Sequence, residues 1–322
     1  HSFFGGPHGE IEAISKAARG AKGATLFVTL EPCSTYGKTP PCTEAIQEAG
    51  IKRVVCGAPD PNPKQRGRGL SWLRKHEIRV AAGVLRKDVE VQIEAFSKWI
   101  RSGIHFVTLK MAQSLDGKIA SASGRSRWIS GPEARTWVHE LRRSVDAILV
   151  GKNTVLKDNP RLSARDGRLR RQPWRIVLDA RGMISPRARM FRTGGPSILV
   201  CSRRLEKQVF AKFASTPVTI LGAESSRGRI DLRVLLRRLG KLGITSLLVE
   251  GGGEVAWSFI RSGLVDKIAW IIAPKIIGGR SARTSVEGTG IGSLSQAYRI
   301  RSSRVVRMGA DFLVEGYMGG KG

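Results

Sequence analysis

Near the start of the chain stands Pro7-His8-Gly9-Glu10, then the apolar run ATLFVTL at Ala24 to Leu30, which ends directly in Glu31-Pro32-Cys33, with a second Pro-Cys at Pro41-Cys42. A short β-branched apolar run of this kind is a buried strand, and Ile51 to Gly57 repeats its character. Between the two, Thr43 to Ala49 reads as a helix closed by Gly50, whose missing Cβ suits a left-handed cap. Strand, helix, strand requires a parallel crossover, which confines this part of the chain to an α/β layer fold.

One imidazole and two thiolates, from His8, Cys33 and Cys42, would give zinc three protein ligands and leave the fourth tetrahedral position to water, as in catalytic and not structural sites. Such water ionises near neutral pH. Glu10, two positions after His8, need not touch the metal; in zinc deaminases a glutamate there takes the proton from the water and passes it to the substrate, so that ammonia leaves. Taken singly each residue has a plain structural explanation, but the H-x-E, the strand, the two Pro-Cys pairs and the following helix make coincidence a poor one. Cys56 and Cys201 lack such company and read as core thiols.

Pro59 to Gly69, PDPNPKQRGRG, is too rich in proline and glycine to be anything but a loop. A helix near Leu70 to His76, a strand near Ile78 to Ala82 and one longer helix from Lys87 to Arg101 follow, the last with Val89, Ile93, Phe96 and Ile100 on one face. Gly103 ends that helix, and a new alternation of strands and helices begins at Phe106. The chain therefore divides into residues 1–103 and 104–322. In the second part strands are expected at Phe106 to Ala112, Ala147 to Val150, Arg175 to Leu178, Ser197 to Cys201, Val218 to Leu221, Ser246 to Glu250, Lys267 to Ile272, Arg299 to Val306 and Phe312 to Tyr317. Helices are expected after Ser130 as N-cap, from Asp231 to Leu242 and from Glu254 to Arg261.

With 41% apolar and 25% charged residues among 322, the chain can fill two cores and is not disordered. Its 55 Lys and Arg against 26 Asp and Glu leave a net charge of +29 and a field that draws phosphates. The excess is spread over the whole length, which argues for a solvated basic surface and against a nucleic-acid partner. Four scattered cysteines make no disulfide framework, and the N-terminus shows no secretory signal. No apolar run is long enough to cross a bilayer. The expected compartment is the cytoplasm.

Polynucleotide and nucleoside deaminases carry P-C-x-x-C, whereas eight residues, Ser34 to Pro41, separate Cys33 from Cys42 here. EPCSTYGKTPPC closely resembles instead the pyrimidine deaminase of the bifunctional riboflavin-biosynthesis family, as do DPNP at Asp60 to Pro63 and GRG at Gly67 to Gly69. The resemblance implies a cytidine-deaminase-like α/β/α domain with His8, Cys33 and Cys42 on Zn2+ and Glu10 as proton carrier. The family has His-Ala-Glu where this chain has Gly9, and it carries an N-terminal helix and a Pro-Asn-Pro segment ahead of the histidine. The expectation is thus a deaminase domain short at its N-terminus, with a polynucleotide base deaminase, or a reductase whose deaminase-like domain is non-catalytic, as the alternatives.

Thr108 to Ala120, TLKMAQSLDGKIA, then Ser123 to Ser130, Thr154 to Arg165 and LLVEGGGEVAWSFI at Leu247 to Ile260 resemble the reductase half of the same family, a dihydrofolate-reductase-like α/β domain. Glu250-Gly251-Gly252-Gly253 falls between a strand and a helix, where bare backbone can approach phosphates, though without the Rossmann glycine spacing. By this resemblance NADPH contacts come from Gln113, Trp128, Thr154, Asp158, Gly252, Gly253, Glu254 and Val255. Substrate contacts come from Ser126, Arg142, Leu162, Arg165 and Glu250, with the two arginines suited to a phosphate. Asp158 or Lys110 could supply a proton, and Asp116 of SLDG could simply fix a turn. The implied substrate is a small phosphorylated pyrimidine, processed by a homo-oligomer.

Overall fold

The computed structural model describes residues 6–37, 39–164, 172–226 and 228–321. The chain forms two compact units, His1–Gly103 and Ile104–Gly322.

The first unit runs α1 (Gly9–Ala17), β1 (Thr25–Leu30), α2 (Cys42–Glu48), β2 (Arg53–Ala58), α3 (Arg68–Lys75), β3 (Arg79–Ala82), α4 (Arg86–Gln92) and α5 (Glu94–Ser102). Its three strands are parallel, with Thr25 opposite Arg53 and Arg53 opposite Arg79. The register sets Leu26, Ile46, Ile51, Val54, Leu73 and Ile78 in one core. Each such buried side chain contributes about 1.5–3 kcal/mol relative to exposure. The single helix expected over residues 87–101 is instead two. Ile93 leaves the helical region at φ −103°, ψ 12° and ends α4 as it begins α5. Val89, Val91 and Ile93 are all β-branched, and their restricted χ1 weakens the helix at this point.

The second unit runs β4 (Phe106–Ser114), α6 (Pro132–Arg143), β5 (Ala147–Gly151), α7 (Lys152–Asp158), β6 (Trp174–Leu178), β7 (Ser197–Ser202), α8 (Glu206–Lys212) and β8 (Val218–Ala223). It continues through β9 (Ser225–Ser226), β10 (Arg229–Ile230), α9 (Leu232–Gly240), β11 (Ser246–Val249), α10 (Gly253–Arg261), β12 (Lys267–Ala273), β13 (Tyr298–Met308) and β14 (Asp311–Lys321). Nine strands make one sheet in the order β13-β14-β12-β4-β11-β5-β6-β7-β8. From β12 to β8 all neighbours are parallel, and only β14 and β13 add antiparallel. Alternate residues of the central strands face opposite sides, so Val107, Leu109, Leu149 and Val249 enter one core while Ile148, Val150 and Leu248 enter the other.

Two local expectations change. Pro132 is the first helical residue of α6, which makes Gly131 and not Ser130 the N-cap; the Gly131 N–H is donated to Asp311 Oδ2 at 2.6 Å. The short β9-β10 hairpin has no counterpart in the sequence reading. Asp231 does cap α9, accepting from the amides of Arg233 and Val234. Among the described residues no helix is long and apolar enough to cross a membrane.

Candidate functional site

In the first unit the segment after β1 delivers Cys33, α2 begins on Cys42, and His8 is the N-cap of α1. His8 Nδ1 lies 3.2 Å from Cys42 Sγ and 3.6 Å from Cys33 Sγ. All three donor atoms fall within 4.8 Å of one another. A tetrahedral zinc with its usual bond lengths sets N···S edges of about 3.6 Å and S···S edges of about 3.8 Å, so this donor set fits that ion. The Cys42 amide donates to Cys33 Sγ at 3.3 Å, as suits a thiolate. Cys42 is buried, whereas His8 and Cys33 are half-buried, so the cluster has an accessible side.

The two thiols share a hydrogen bond that lowers the Cys33 pKa to about 6, helped by His8, and raises that of Cys42. A cation held between them would draw the protons off both thiols. Glu10 stands outside the three-residue cluster but close enough to raise the Cys42 thiol further. Cys56 and Cys201 are fully buried and pushed up to about 11 by burial, in keeping with inert core thiols.

In the second unit a cavity of about 410 Å³ opens beyond the C-terminal ends of β5 and β6. Ligands of open parallel sheets lie at this edge. Thr154, Asp158, Gly252, Gly253, Glu254 and Val255 line it, as does Ser126. Ser126 Oγ donates to Asp158 Oδ1 at 2.8 Å, joining two side chains that the sequence reading assigned to different ligands. The glycines are there for close approach: a Cβ on Gly253 would stand 2.6 Å from Thr284 O, and one on Gly251 would stand 2.7 Å from Val255 Cβ. Gly252, the N-cap of α10, has nothing within 4 Å of a built Cβ. That is a cradle of bare backbone at a helix N-terminus, which fits the phosphates of a dinucleotide.

Where β11 ends, Glu250 is gripped by Arg142 of α6 through two bonds, Nε to Oε1 at 2.6 Å and Nη2 to Oε2 at 2.9 Å. Lys110 Nζ of β4 lies 3.8 Å from Oε2. Burial works to raise the Glu250 pKa, yet the attraction of Arg142 and Lys110 prevails and holds it at about 2. Burial lowers that of Lys110, against the pull of Glu250.

Comparison with known proteins decides the family. The profile of the RibD C-terminal domain matches residues 105–314, and that of the cytidine and deoxycytidylate deaminase zinc-binding region matches residues 4–58. The chain is 40% identical over 315 residues to riboflavin biosynthesis protein RibD of Aquifex aeolicus, covering 98% of this chain and 86% of the relative. It is 38% identical to RibD of Escherichia coli, covering 97% and 86%. The RibD structure of Acinetobacter baumannii superposes with a TM-score of 0.85 at 32% identity, over 99% of this chain and 87% of the other. The chain belongs to the RibD family. A Thermotoga maritima deaminase/reductase agrees, with a TM-score of 0.84 at 36% identity over 99% and 87% of the two chains. The fold is therefore a cytidine-deaminase-like domain followed by a RibD reductase domain of the dihydrofolate-reductase-like class.

Several residues assigned to ligands from the sequence have protein partners in this RibD-family chain. Arg142 was expected on a substrate phosphate, but two of its nitrogens are on Glu250 and Nη1 reaches Ser163 O at 3.4 Å, so a phosphate would have to compete with a buried carboxylate. Leu162 is 3% exposed and packs in the core, which leaves only its backbone for a ligand. Gln113 accepts from Trp270 Nε1 at 2.9 Å and does not line the cavity. Trp128 also lies off the cavity; it is 63% exposed, with the Arg135 guanidinium 4.6 Å from its ring centre. Arg165 lies outside the described residues. Asp116 does more than close a turn: it accepts from the amides of Ile277 and Gly278 at 3.0 and 2.7 Å, tying two loops together.

Sequence reasoning passed over Lys152, Arg181 and Arg229, which bring positive charge to the cavity lining. The signal for the first two was a basic residue just beyond the end of a strand, Gly151-Lys152 and Asp179-Ala180-Arg181.

Proposed function

We propose that this protein deaminates diaminohydroxyphosphoribosylaminopyrimidine in its first domain and reduces 5-amino-6-(5-phosphoribosylamino)uracil in its second, the two activities named for the Thermotoga relative. The observation that carries the reading is the convergence of His8, Cys33 and Cys42 at zinc spacing beside Glu10, in a chain whose other half holds the glycine-lined cavity.

His8, Cys33 and Cys42 would hold zinc, which supplies an electrophile that acidifies water. Glu10, near that cluster and not part of it, takes the proton of the attacking water and delivers it to the departing amine. The two thiolates would offset the charge of the dication, and the half-buried His8 and Cys33 give the pyrimidine an accessible side.

NADPH would occupy the second cavity, with Gly252, Gly253, Glu254 and Val255 at its phosphates and Thr154 and Asp158 along its wall. Lys152, Arg181 and Arg229 support NADPH over NADH, since an extra phosphate gains most from basic side chains. NADPH would supply the hydride for reduction of the C1′=N bond of the ring-opened imine, with a proton taken up at the nitrogen to leave a ribityl amine. Lys110 is favoured over Asp158 as the source of that proton, because Asp158 already accepts from Ser126 whereas Lys110 is a buried donor beside Glu250. Ser126 and Arg165 remain assigned to the substrate. Four cysteines, all free, support a cytoplasmic location, and a homo-oligomer built through the second domain completes the proposal.

Zinc content, ammonia release and NADPH oxidation measured on one preparation test the reading. It expects one zinc per chain and both turnovers on the phosphorylated pyrimidine; absence of zinc, or NADH used as well as NADPH, would contradict it.

A further inference from the structure

Glu31 is a buried carboxylate, 4% exposed, between β1 and Cys33, and the chemistry above does not use it. Its partners among the described residues are backbone amides and not a cation. Oε2 accepts from Asp60 N at 3.0 Å and Gly67 N at 2.8 Å, while Oε1 accepts from Gly69 N at 2.9 Å and Leu70 N at 3.2 Å. Two amides from the loop that joins β2 to α3 and two from the first turn of α3 are thus folded around a single side chain.

Two of these amides, from Gly69 and Leu70, belong to the first turn of α3, whose N-cap Gly67 offers no side chain of its own. Glu31 caps that helix from a distant place in the sequence, and its negative charge suits the helix N-terminus. The contact is tight: a Cβ on Gly69 would lie 2.0 Å from Pro32 O, so the loop backbone presses on the residue that precedes Cys33. Beyond Cys33 there is a second clasp. Gln65 donates to Thr35 Oγ1, and Ser34 Oγ donates to Gln65 Oε1 at 3.5 Å. The Cys33 segment is therefore held on both sides by the same loop. The loop tip is closed by two local turns, in which Asp60 Oδ1 accepts from Asn62 N at 2.8 Å and Asn62 Oδ1 from Lys64 N at 3.1 Å.

We propose that Glu31 is a positioning residue for deamination: by gathering these amides it fixes the 59–70 loop against the Cys33 segment, so that the loop forms a set wall of the pyrimidine pocket. The place suits the role, because the loop leaves the C-terminal end of β2 next to that of β1, the edge at which parallel sheets hold ligands. The inference rests on the deaminase reading given above. It predicts that the wall acts on substrate placement and leaves the metal ligands and the second domain alone.

The test is Glu31→Gln in the full chain, which preserves size but puts an N–H₂ donor against two of the amides. We expect a full zinc complement, unchanged NADPH oxidation on pre-deaminated substrate, a KM for ammonia release raised about tenfold or more with kcat changed less than about threefold, and faster hydrogen exchange at Gly67, Gly69 and Leu70. Glu31→Asp should recover part of the KM. Gln65→Leu opens the other clasp without touching Glu31 and should raise KM in the same direction. Wild-type KM in both Glu31→Gln and Gln65→Leu overturns the proposal, as does a loss of activity that merely follows a loss of zinc. If Glu31→Gln does not fold, an unchanged KM in Gln65→Leu overturns it. A wild-type chain that binds zinc yet releases no ammonia sinks the deaminase reading itself, a result distinct from any of these.

Discussion

Arg142 and Glu250 meet edge to edge, Nε on Oε1 at 2.6 Å and Nη2 on Oε2 at 2.9 Å, with the side chains 15% and 10% exposed. Such a pair spends most of its attraction on offsetting the desolvation of both ions, but removing one partner strands the other, at a cost of about 3–5 kcal/mol. Glu250→Gln should therefore lower the thermal midpoint of the second domain and impair reduction, with zinc content unchanged. Calorimetry beside NADPH oxidation checks it.

The same pair carries a pH dependence of known sign. The Glu250 pKa is held down to about 2, below its ordinary value of 4.5, so the carboxylate contributes stability fully above the ordinary value and loses it as pH falls through about 2. The stability gap between wild type and Glu250→Gln should be constant above pH about 5 and narrow across the window between those values. Denaturant unfolding at a series of pH values measures the gap; one that widens on acidification contradicts the assignment.

Gly252 and Gly253 separate binding from folding. A methyl at Gly253 would meet Thr284 O at 2.6 Å and Glu287 N at 2.9 Å, both backbone, so Gly253→Ala should destabilise by about 1–3 kcal/mol. Gly252 has a negative φ and open space, so Gly252→Ala should leave the unfolding midpoint near wild type while weakening NADPH where the backbone must come close. Fluorescence titration and thermal melts distinguish the two.

Asp146, just ahead of β5, accepts from both amide and hydroxyl of Thr245 and of Ser246, at 2.8 to 3.0 Å, and so joins two neighbouring parallel strands at their starts. Asp146→Ala leaves those donors without their acceptor, and we expect a loss of about 2–4 kcal/mol with little change in the KM of either reaction. Denaturant melts and steady-state kinetics test this.

Strands were the most legible part of the sequence because buried parallel strands are short apolar runs that stand out whatever their neighbours do. Phe106, Ala147 and Ser197 each open a strand where periodicity placed one. The break at Ile93 and the displaced cap at Gly131 were harder, since both turn on the backbone state of one residue. The zinc-spaced cluster was readable because its residue types are rare and ordered along the chain. Arg142 was not, for an arginine suits a phosphate and a carboxylate equally, and only the fold brings Glu250 to it across 108 positions. Glu31 was passed over for a similar reason: its partners are amides, which leave no mark on the sequence.

The most direct test of two linked activities in one chain is Glu10→Gln given, in separate samples, the phosphorylated diaminopyrimidine and its deaminated product, with NADPH consumption followed in both. Removing the proton carrier should cut ammonia release by about 10²-fold or more while zinc stays bound. NADPH consumption should then nearly cease on the first compound and proceed at the wild-type rate on the second. Consumption at the wild-type rate on both would contradict the linkage.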